Sequence, residues 1–201
     1  MTPVLVSQFH SPIGMILAAC RNKRIVKIAL PGESGDSARS WLRDRFPNDS
    51  LEEGSASILT RLFGQLADYF NKRLQKFDLA IEFSGTDFQK SVWSALLDIP
   101  YGQVVSYGEL ARRLGKPIGA SRAIGSANGA NPLPIVVPCH RVIGHSGKLV
   151  GYGGGLEIKA LLLRLEAQQE LLPFDRGRSR NDVLNKSGSP DKSLLRSEAT
   201  G

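Results

Sequence analysis

The stretch "PIVVPCHRVIG", from Pro134 to Gly144, places a cysteine and a histidine side by side behind an apolar segment. Cys139 is one of two cysteines in 201 residues, and His140 is one of three histidines. Neighbouring side chains on an extended chain point to opposite faces, so contact between this pair requires a turn or a bridging water. Pro138, directly before the pair, favours such a turn. The pair can be a nucleophile with its base, a pair of metal ligands, or part of an ordinary core strand.

A nucleophilic role for Cys139 needs a group that removes the thiol proton. At an unperturbed pKa of about 8.5, only a few per cent of a cysteine is thiolate at neutral pH. His140 is the expected base, and Glu166 in a predicted C-terminal helix is the acid we expect to orient its ring. The alternative is that a buried cysteine acts as a small hydrophobic residue. A metal site is not expected, because Cys20, His10 and the other candidates show no C-x-x-C or H-x-x-H spacing.

Positive charge is concentrated in one segment of the chain. The formal net charge is +7, yet residues 1–100 carry 12 basic and 11 acidic residues. Residues 101–148 carry six basic residues and a single acidic one, Glu109. Such a segment is typical of a protein that binds a phosphate-rich partner, although a basic surface can also serve solubility alone.

The sequence gives no sign of a membrane segment or of export. No apolar run approaches the roughly 20 residues that span a bilayer, and the first residues lack the basic and apolar regions of a signal peptide. Two cysteines cannot form a disulfide framework. We therefore expect a cytoplasmic protein, or a nuclear one in a eukaryote, with both thiols reduced.

The first 84 residues alternate between extended and helical patterns. Residues 4–30 contain two runs rich in Ile, Leu and Val around the turn "RNK", which predicts a β-hairpin. Apolar spacing predicts helices over 37–46 and 56–74, and "FDLAIEF" (77–83) alternates as a strand does. We expect a small sheet with helices packed against it, forming an N-terminal domain over 1–84.

The following segment, 85–173, is predicted to form a mainly helical domain. Thr86 with Gln89, and Ser106 with Glu109, have the spacing of capping boxes, which predicts that a helix begins at each pair.

A second helix is expected shortly after the one that begins at Ser106. A connection containing Gly and Pro leads to "SRAIGSANGANP", which starts at Ser121, and this arrangement matches a helix-turn-helix outline. Apart from Arg122 and one isoleucine, this helix has small side chains, which suit a minor groove or tight packing against another helix. Residue type alone favours packing. A further helix is expected over 151–172, and a disordered tail over 174–201.

Three segments around Cys139 resemble one enzyme family. "NPLPIVVPCHRVIG" is similar to the active-site signature of the methylated-DNA–protein-cysteine methyltransferases, the O6-alkylguanine-DNA alkyltransferases. "IPYGQVVSYGELA" and "YGGGLEIKALLLRLE" resemble the family on either side, in the same order and spacing, so that the similarity spans roughly residues 86–170.

This resemblance implies a fold and an activity. The fold would be α+β, with a small ribonuclease-H-like N-terminal domain of sheet and helices and a mainly α, winged-helix-like helix-turn-helix C-terminal domain. The activity would be DNA repair by direct, single-turnover transfer of a methyl or other alkyl group from O6-alkylguanine, with O4-alkylthymine as a second candidate lesion. The damaged nucleotide would be flipped out of the duplex.

The resemblance also implies chemical roles for individual residues. Cys139 would accept the alkyl group, His140 would act as a base through a water molecule, and Glu166 would orient the imidazole. Asn131 would hold the turn between the recognition helix and the active-site strand. Tyr107 would donate a proton or a hydrogen bond to the departing guanine and help to rotate the 3′ phosphate.

Contacts with double-stranded DNA that contains alkylated guanine follow from the same resemblance. Arg122 would enter the base stack where the flipped nucleotide had been. The other implied DNA contacts come from Ser121, Ala123, Arg141 and Tyr107. The implied lining of the base pocket is Val142, Tyr152, Gly153 and Pro134. No cofactor, metal or membrane contact is implied, and we expect a monomer.

The chain departs from some family members in two places. Gly153 stands where some have serine, and the N-terminal half has too few Cys and His residues for the structural zinc of others. Two rival functions are a module that recognises alkylated DNA without repairing it and a cysteine hydrolase. Non-catalytic relatives replace the cysteine, so the presence of Cys139 argues against the first rival. The second explains neither the basic segment nor Arg122.

Overall fold

A computed structural model describes residues 2–167 of the chain. The disordered tail expected over 174–201, and the last residues of the helix expected over 151–172, lie outside the described residues. Within the described part, no helix is both long enough and apolar enough to cross a membrane.

A four-stranded sheet forms the N-terminal part, with strand order β3-β2-β1-β4. The strands are β1 (Val4–Ser11), β2 (Gly14–Arg21), β3 (Arg24–Ala29) and β4 (Leu51–Glu53). The predicted hairpin is confirmed, because β2 and β3 pair antiparallel across a turn in which Asn22 and Lys23 have positive φ. The short strand β4 pairs parallel with β1 and was not predicted, since three residues show no usable alternation.

Two helices pack against this sheet, α1 (Gly35–Arg45) and α2 (Ser57–Phe70), and both were predicted. Four residues of the apolar face of α2, Leu59, Leu62, Leu66 and Tyr69, are buried in the core. The strand predicted over 77–83 is wrong: the segment makes only an isolated bridge between Ile81 and Ile25 of β3. Its hydrogen bonds to the sheet are confined to that point, so the alternating pattern reflects half-burial along the sheet edge and not a full strand.

The C-terminal part is mainly helical. Its elements are α3 (Asp87–Leu97), β5 (Val105–Ser106), α4 (Tyr107–Arg113), α5 (Ser121–Gly129), β6 (Val142–Ile143) and α6 (Leu156–Glu166). The capping box predicted at Thr86 and Gln89 is confirmed in both directions. At α4 only half of the predicted box forms. Ser106 Oγ accepts from the backbone N–H of Glu109, while the Glu109 carboxylate pairs with Arg112 and Arg113.

Helices α4 and α5 form the predicted helix-turn-helix. The connection includes Gly115, which has a φ of +65°, a conformation that commonly terminates a helix. A 3₁₀ turn at Ile118–Ala120 follows. Trp93 of α3 anchors α5, because its indole N–H donates to the carbonyl oxygen of Ala127 at 2.8 Å. One hydrophobic core contains residues of the sheet, α2, α3, α5 and α6. The domain boundary at residue 84 stays a prediction.

Candidate active site

The segment before Cys139 is a tight turn and not the expected strand. Pro134 and Val137 form an isolated bridge, and Ile135 between them has a φ of +74°. Positive φ is unfavourable for a β-branched side chain and is tolerated only where the surroundings hold the backbone in place. Asn131 does so, since its Nδ2 donates to the Val137 carbonyl at 2.9 Å and its Oδ1 accepts from the Leu133 N–H at 3.0 Å.

The turn continues into a short 3₁₀ helix, Cys139–Arg141, in which all three side chains are buried. This backbone turn resolves the geometric problem of adjacent residues, because consecutive side chains no longer point to opposite faces. Asn128 of α5 supports the turn from the other side, with its Nδ2 3.3 Å from the Cys139 carbonyl oxygen.

Glu166 at the end of α6 contacts several buried polar groups through its carboxylate. Its Oε1 lies 2.7 Å from His140 Nε2 and accepts from Tyr69 at 2.7 Å and from Arg141 Nη2 at 3.0 Å. Its Oε2 accepts from Arg141 Nε at 2.8 Å and from the Gly102 N–H at 3.2 Å. These donors outweigh the effect of burial, so the pKa of Glu166 falls to about 2 and the group is a carboxylate at neutral pH.

The carboxylate decides which nitrogen of His140 carries the proton. An ionised carboxylate only accepts hydrogen bonds, so the neutral ring donates from Nε2 and keeps its lone pair on Nδ1. Nδ1 is buried and has no hydrogen-bond partner among residues 2–167. Burial lowers the pKa of His140, against the opposing effect of Glu166, so the ring is neutral near pH 7. His140, the residue directly after Cys139, therefore has a lone pair on Nδ1 with which it can accept a proton.

The thiol of Cys139 is protonated in this state. Burial raises its pKa to about 11, while a hydrogen bond with Asn131 and the charge of Lys159 act in the opposite direction. Cys139 is therefore not held as a thiolate in the protein alone. A buried site withholds the solvation that a thiolate needs, so ionisation must be coupled to proton transfer.

The structure gives Arg141 a different place from the DNA surface expected for it. Its residue surface is only 6% exposed, and its guanidinium is shared between the Glu166 carboxylate and the Ile99 carbonyl oxygen, which accepts at 2.6 Å. A guanidinium whose donors are used in this way is not available to a phosphate. Arg141 is instead the counter-ion of the buried carboxylate.

A pocket of about 720 Å³ opens onto Cys139. Of the four predicted pocket residues, Pro134, Tyr152 and Gly153 line it, together with Asn131. Val142 does not line it. Its N–H donates to the Cys139 carbonyl, its own carbonyl accepts from Lys159, and the residue is fully buried.

Other pocket residues come from the N-terminal part, and sequence reasoning did not include them. The pocket residues from β3, α1 and the loop between them are Lys27, Ile28, Leu30, Gly32, Glu33, Ser34, Ser37 and Trp41. Lys27 is held there by Glu33 at 2.9 Å and by the face of Trp41 at 5.2 Å.

Lys159 and Tyr69 were also missed. Lys159 is fully buried, and its ammonium donates to the carbonyl oxygens of Val142 at 2.6 Å and Val150 at 2.8 Å, which fastens this loop to α6. Burial lowers the pKa of Lys159 to about 8. A lysine on the Leu-rich face of α6 was a signal in the sequence that could have found it. Tyr69 sits among apolar residues at helical spacing and gave no such signal.

The two faces of α5 differ sharply. Ile124, Ala127 and Asn128 are buried, whereas Arg122 and Ala123 are exposed. The small side chains of this helix therefore serve packing on its buried face, while its exposed face is available to a partner. Half-buried Ser121 donates its hydroxyl to the Ile118 carbonyl at 2.6 Å.

Tyr107 lies at the start of α4, next to Gly125 of α5. A Cβ added at Gly125 would lie 3.7 Å from the Tyr107 ring, which is ordinary van der Waals contact. Burial, followed by the charge of Cys139, raises the pKa of the phenol, which therefore stays a hydrogen-bond donor.

Together, the fold and the site define a helix-turn-helix protein with a buried cysteine–histidine–glutamate centre at the base of a pocket. Two family models match the chain. Residues 4–83 match the ribonuclease-like domain of 6-O-methylguanine DNA methyltransferase, and residues 87–168 match its DNA binding domain.

Curated relatives agree with these matches. The methylated-DNA–protein-cysteine methyltransferase of Mycobacterium tuberculosis (strain H37Rv) is 57% identical over 169 residues, which cover 82% of this chain and 95% of the relative. The protein of the same name from Methanosarcina barkeri is 46% identical over 157 residues, covering 78% and 93%. The chain belongs to the methylated-DNA–protein-cysteine methyltransferase family and is a methyltransferase.

Solved structures carry the same fold. Mycobacterium tuberculosis OGT in complex with DNA superposes with a TM-score of 0.70 at 42% identity, covering 81% of this chain and 92% of that one. The O6-methylguanine-DNA methyltransferase of Pyrococcus kodakaraensis gives a TM-score of 0.62 at 28% identity, covering 81% and 98%. The resemblance noted in the sequence and the predicted α+β fold, with a ribonuclease-like N-terminal part and a helical DNA-binding C-terminal part, are confirmed.

Proposed function

We propose that this protein repairs DNA by moving an alkyl group from the O6 atom of guanine to Sγ of Cys139, once per molecule. The observation that carries the proposal is a pocket lined by Cys139, whose neighbour in the chain, His140, is held through Nε2 by the buried Glu166 carboxylate at 2.7 Å. The DNA-bound state of the Mycobacterium tuberculosis relative supports DNA as the partner. Double-stranded DNA containing an alkylated guanine is the specific substrate we propose.

Access to the alkyl group requires that the damaged nucleotide leave the duplex. Flipping costs a few kcal/mol of lost stacking and pairing. The exposed Arg122 would fill the vacated stack, and the exposed small residue beside it, Ala123, allows the helix backbone to approach a groove closely. Ser121 lies at the start of the same helix, where its backbone can meet a phosphate.

Cys139, His140, Glu166 and Tyr107 can together carry out the transfer. The Cys139 proton passes through a water molecule to His140 Nδ1, and the resulting imidazolium is stabilised by the Glu166 carboxylate. Sγ attacks the alkyl carbon, the carbon–oxygen bond breaks, and its electron pair enters the guanine ring. Tyr107 donates a hydrogen bond to the ring as it takes up charge. The guanine anion then takes a proton from water to give guanine, and the His140 imidazolium releases the former thiol proton to water. The product thioether has no basic leaving group, so the protein is spent.

The raised pKa of Cys139 suits a single-use reagent. A thiol with a pKa of about 11 is mostly protonated and resists oxidation and stray alkylation until a substrate closes the site. Tyr152, Gly153 and Pro134 would then surround the flipped base. We further propose that the protein acts as a monomer, without a cofactor or metal, in the cytoplasm.

The decisive experiment uses a duplex oligonucleotide that contains one O6-methylguanine. Mass spectrometry of the incubated protein should show a single methyl group, on the peptide that contains Cys139. Cys139→Ala should abolish transfer and keep duplex binding, while the matched control Cys20→Ala, in the core of β2, should still transfer. Binding without transfer would favour a recognition module, and thiol-dependent turnover without DNA would favour a hydrolase. A methyl group on Cys20 would overturn the assignment.

A further inference from the structure

A tyrosine from the N-terminal part of the chain touches the catalytic carboxylate. The hydroxyl of Tyr69, on α2, donates to Glu166 Oε1 at 2.7 Å. Tyr69 is 0% exposed, and 97 positions of sequence separate it from its partner. Its ring packs edge-on against Tyr101 at a centroid distance of 6.2 Å and beside Phe77 at 5.5 Å, so the hydroxyl is fixed in place.

Tyr69 shares one oxygen atom with the catalytic imidazole. Glu166 Oε1 also lies 2.7 Å from His140 Nε2, and Oε2 serves Arg141 and Gly102. A carboxylate has about four lone-pair sites, so the donors compete for its negative charge. The hydrogen bond from Tyr69 to Oε1 therefore weakens the stabilisation that Glu166 gives to an imidazolium at His140.

The tyrosine acts as a constant donor. Burial, followed by the charge of Glu166, raises the pKa of Tyr69 far above its usual range, so it does not ionise at any working pH. The charged or titratable groups that face His140 or its carboxylate are Cys139, Arg141, Glu166, Lys159, Tyr69, Tyr101 and Tyr152. Among these, Tyr69 is a neutral donor to the atom that His140 also contacts.

We infer that Tyr69 is a positioning residue for alkyl transfer, which sets the place of the Glu166 carboxylate and the basicity of His140. Through this contact the N-terminal part of the chain becomes a component of the catalytic centre and not only a support for the fold. The inference rests on the proposed function, because it concerns the same base.

The test is Tyr69→Phe, with Tyr101→Phe as its matched control. Tyr101 belongs to the same aromatic cluster, but its hydroxyl lies 3.3 Å from the Leu165 carbonyl oxygen and not against the carboxylate. Loss of the Tyr69 hydroxyl leaves more charge for His140, so the acid limb of the single-turnover rate should move to higher pH by about one unit. Tyr101→Phe should leave the limb where it is.

A second pair of measurements does not depend on the folding of one variant or on activity. Nitrogen-15 spectra of labelled histidine should show the His140 titration moving upward in Tyr69→Phe. Difluorotyrosine placed at position 69 is a stronger donor of similar size, so the same titration should move downward in that protein.

Opposite shifts would support the inference, and unchanged histidine titrations in both proteins would overturn it. A wild-type protein that transfers no alkyl group would refute the proposed function instead, which keeps the two failures distinct.

Discussion

The buried centre around Glu166 and the exposed face of α5 differ in where the partners of their polar side chains lie. In the centre, Glu166, His140 and Arg141 bond to one another across distant parts of the chain. On α5, Arg122 and Ala123 face outward. The partners of the first region lie within the protein, whereas we propose that the partner of the second region is DNA.

This difference determines what each region reveals. Buried polar groups must be paired, so the role of each one can be read from its contacts. The role of an exposed arginine cannot be read from contacts within the protein, so it is inferred from the position of the residue on the fold and from its chemistry. Substitutions in the centre should therefore change the reaction on every substrate, and those on α5 should change it only where duplex DNA is present.

The largest effect is expected for Glu166→Gln. His140 would lose the charge that stabilises its imidazolium, and transfer should slow by about 10²-fold or more, on free O6-benzylguanine as well as on duplex DNA. The buried Arg141 would lose its counter-ion, which costs on the order of 3 kcal/mol of unfolding free energy. Single-turnover rates and chemical denaturation measure both. Glu157→Gln, on the exposed first turn of the same helix, is the control and should change neither.

The same variant should also lose an acid-dependent part of stability. The folded pKa of Glu166, about 2, lies below its unfolded value of about 4.3, so this group stabilises the fold above pH 4.3 and ceases to do so as the pH falls through 2. Acid unfolding curves of wild type and Glu166→Gln should converge across that window. Parallel curves would remove Glu166 from the buried network.

A smaller and more selective effect is expected for Arg122→Ala. Without a side chain to fill the stack, the flipped state is uncompensated, so repair of duplex DNA should fall by a few kcal/mol, roughly ten- to several-hundred-fold. Transfer from free O6-benzylguanine needs no flipping and should be unchanged. Equal losses on both substrates would show that Arg122 supports the fold or the site instead.

Controls for Arg122 come from the same basic segment. Lys116→Ala removes an exposed charge and should lower the salt dependence of duplex binding by about one unit, with little effect on the transfer rate. Arg112→Ala should act similarly, although Arg112 also pairs with Glu109.

The smallest effect is expected for Gly153→Ser at the pocket. No atom of the described part of the chain lies within 4 Å of a Cβ added there, so the side chain fits and the single-turnover rate should stay within about twofold. Gly154→Ala is the contrasting neighbour, since its Cβ would lie 2.8 Å from Leu30 and 3.2 Å from the Tyr152 ring. A rate that is more sensitive at position 153 than at 154 would contradict this geometry.

Local patterns in the sequence determined much of this protein. The capping box at Thr86 and the apolar spacing of α2 predicted their helices, because hydrogen bonds between residues three or four apart depend on neighbouring residues alone. The family was evident from the segment around Cys139 and its two flanking segments. The alternation of apolar and polar residues over 77–83 led to the wrong prediction of a strand. Such alternation indicates that one side of the segment is buried, but not that a neighbouring strand is available to pair with it.

Only the tertiary structure decided which groups meet inside. The sequence suggested that Glu166 serves His140, yet not that Arg141 turns inward to the same carboxylate or that Tyr69 reaches it from 97 positions away. The raised pKa of Cys139 likewise follows from burial. Such pairings arise because a folded core must satisfy every buried polar group with whatever partner the packing brings near, and a one-dimensional pattern carries no record of that distance.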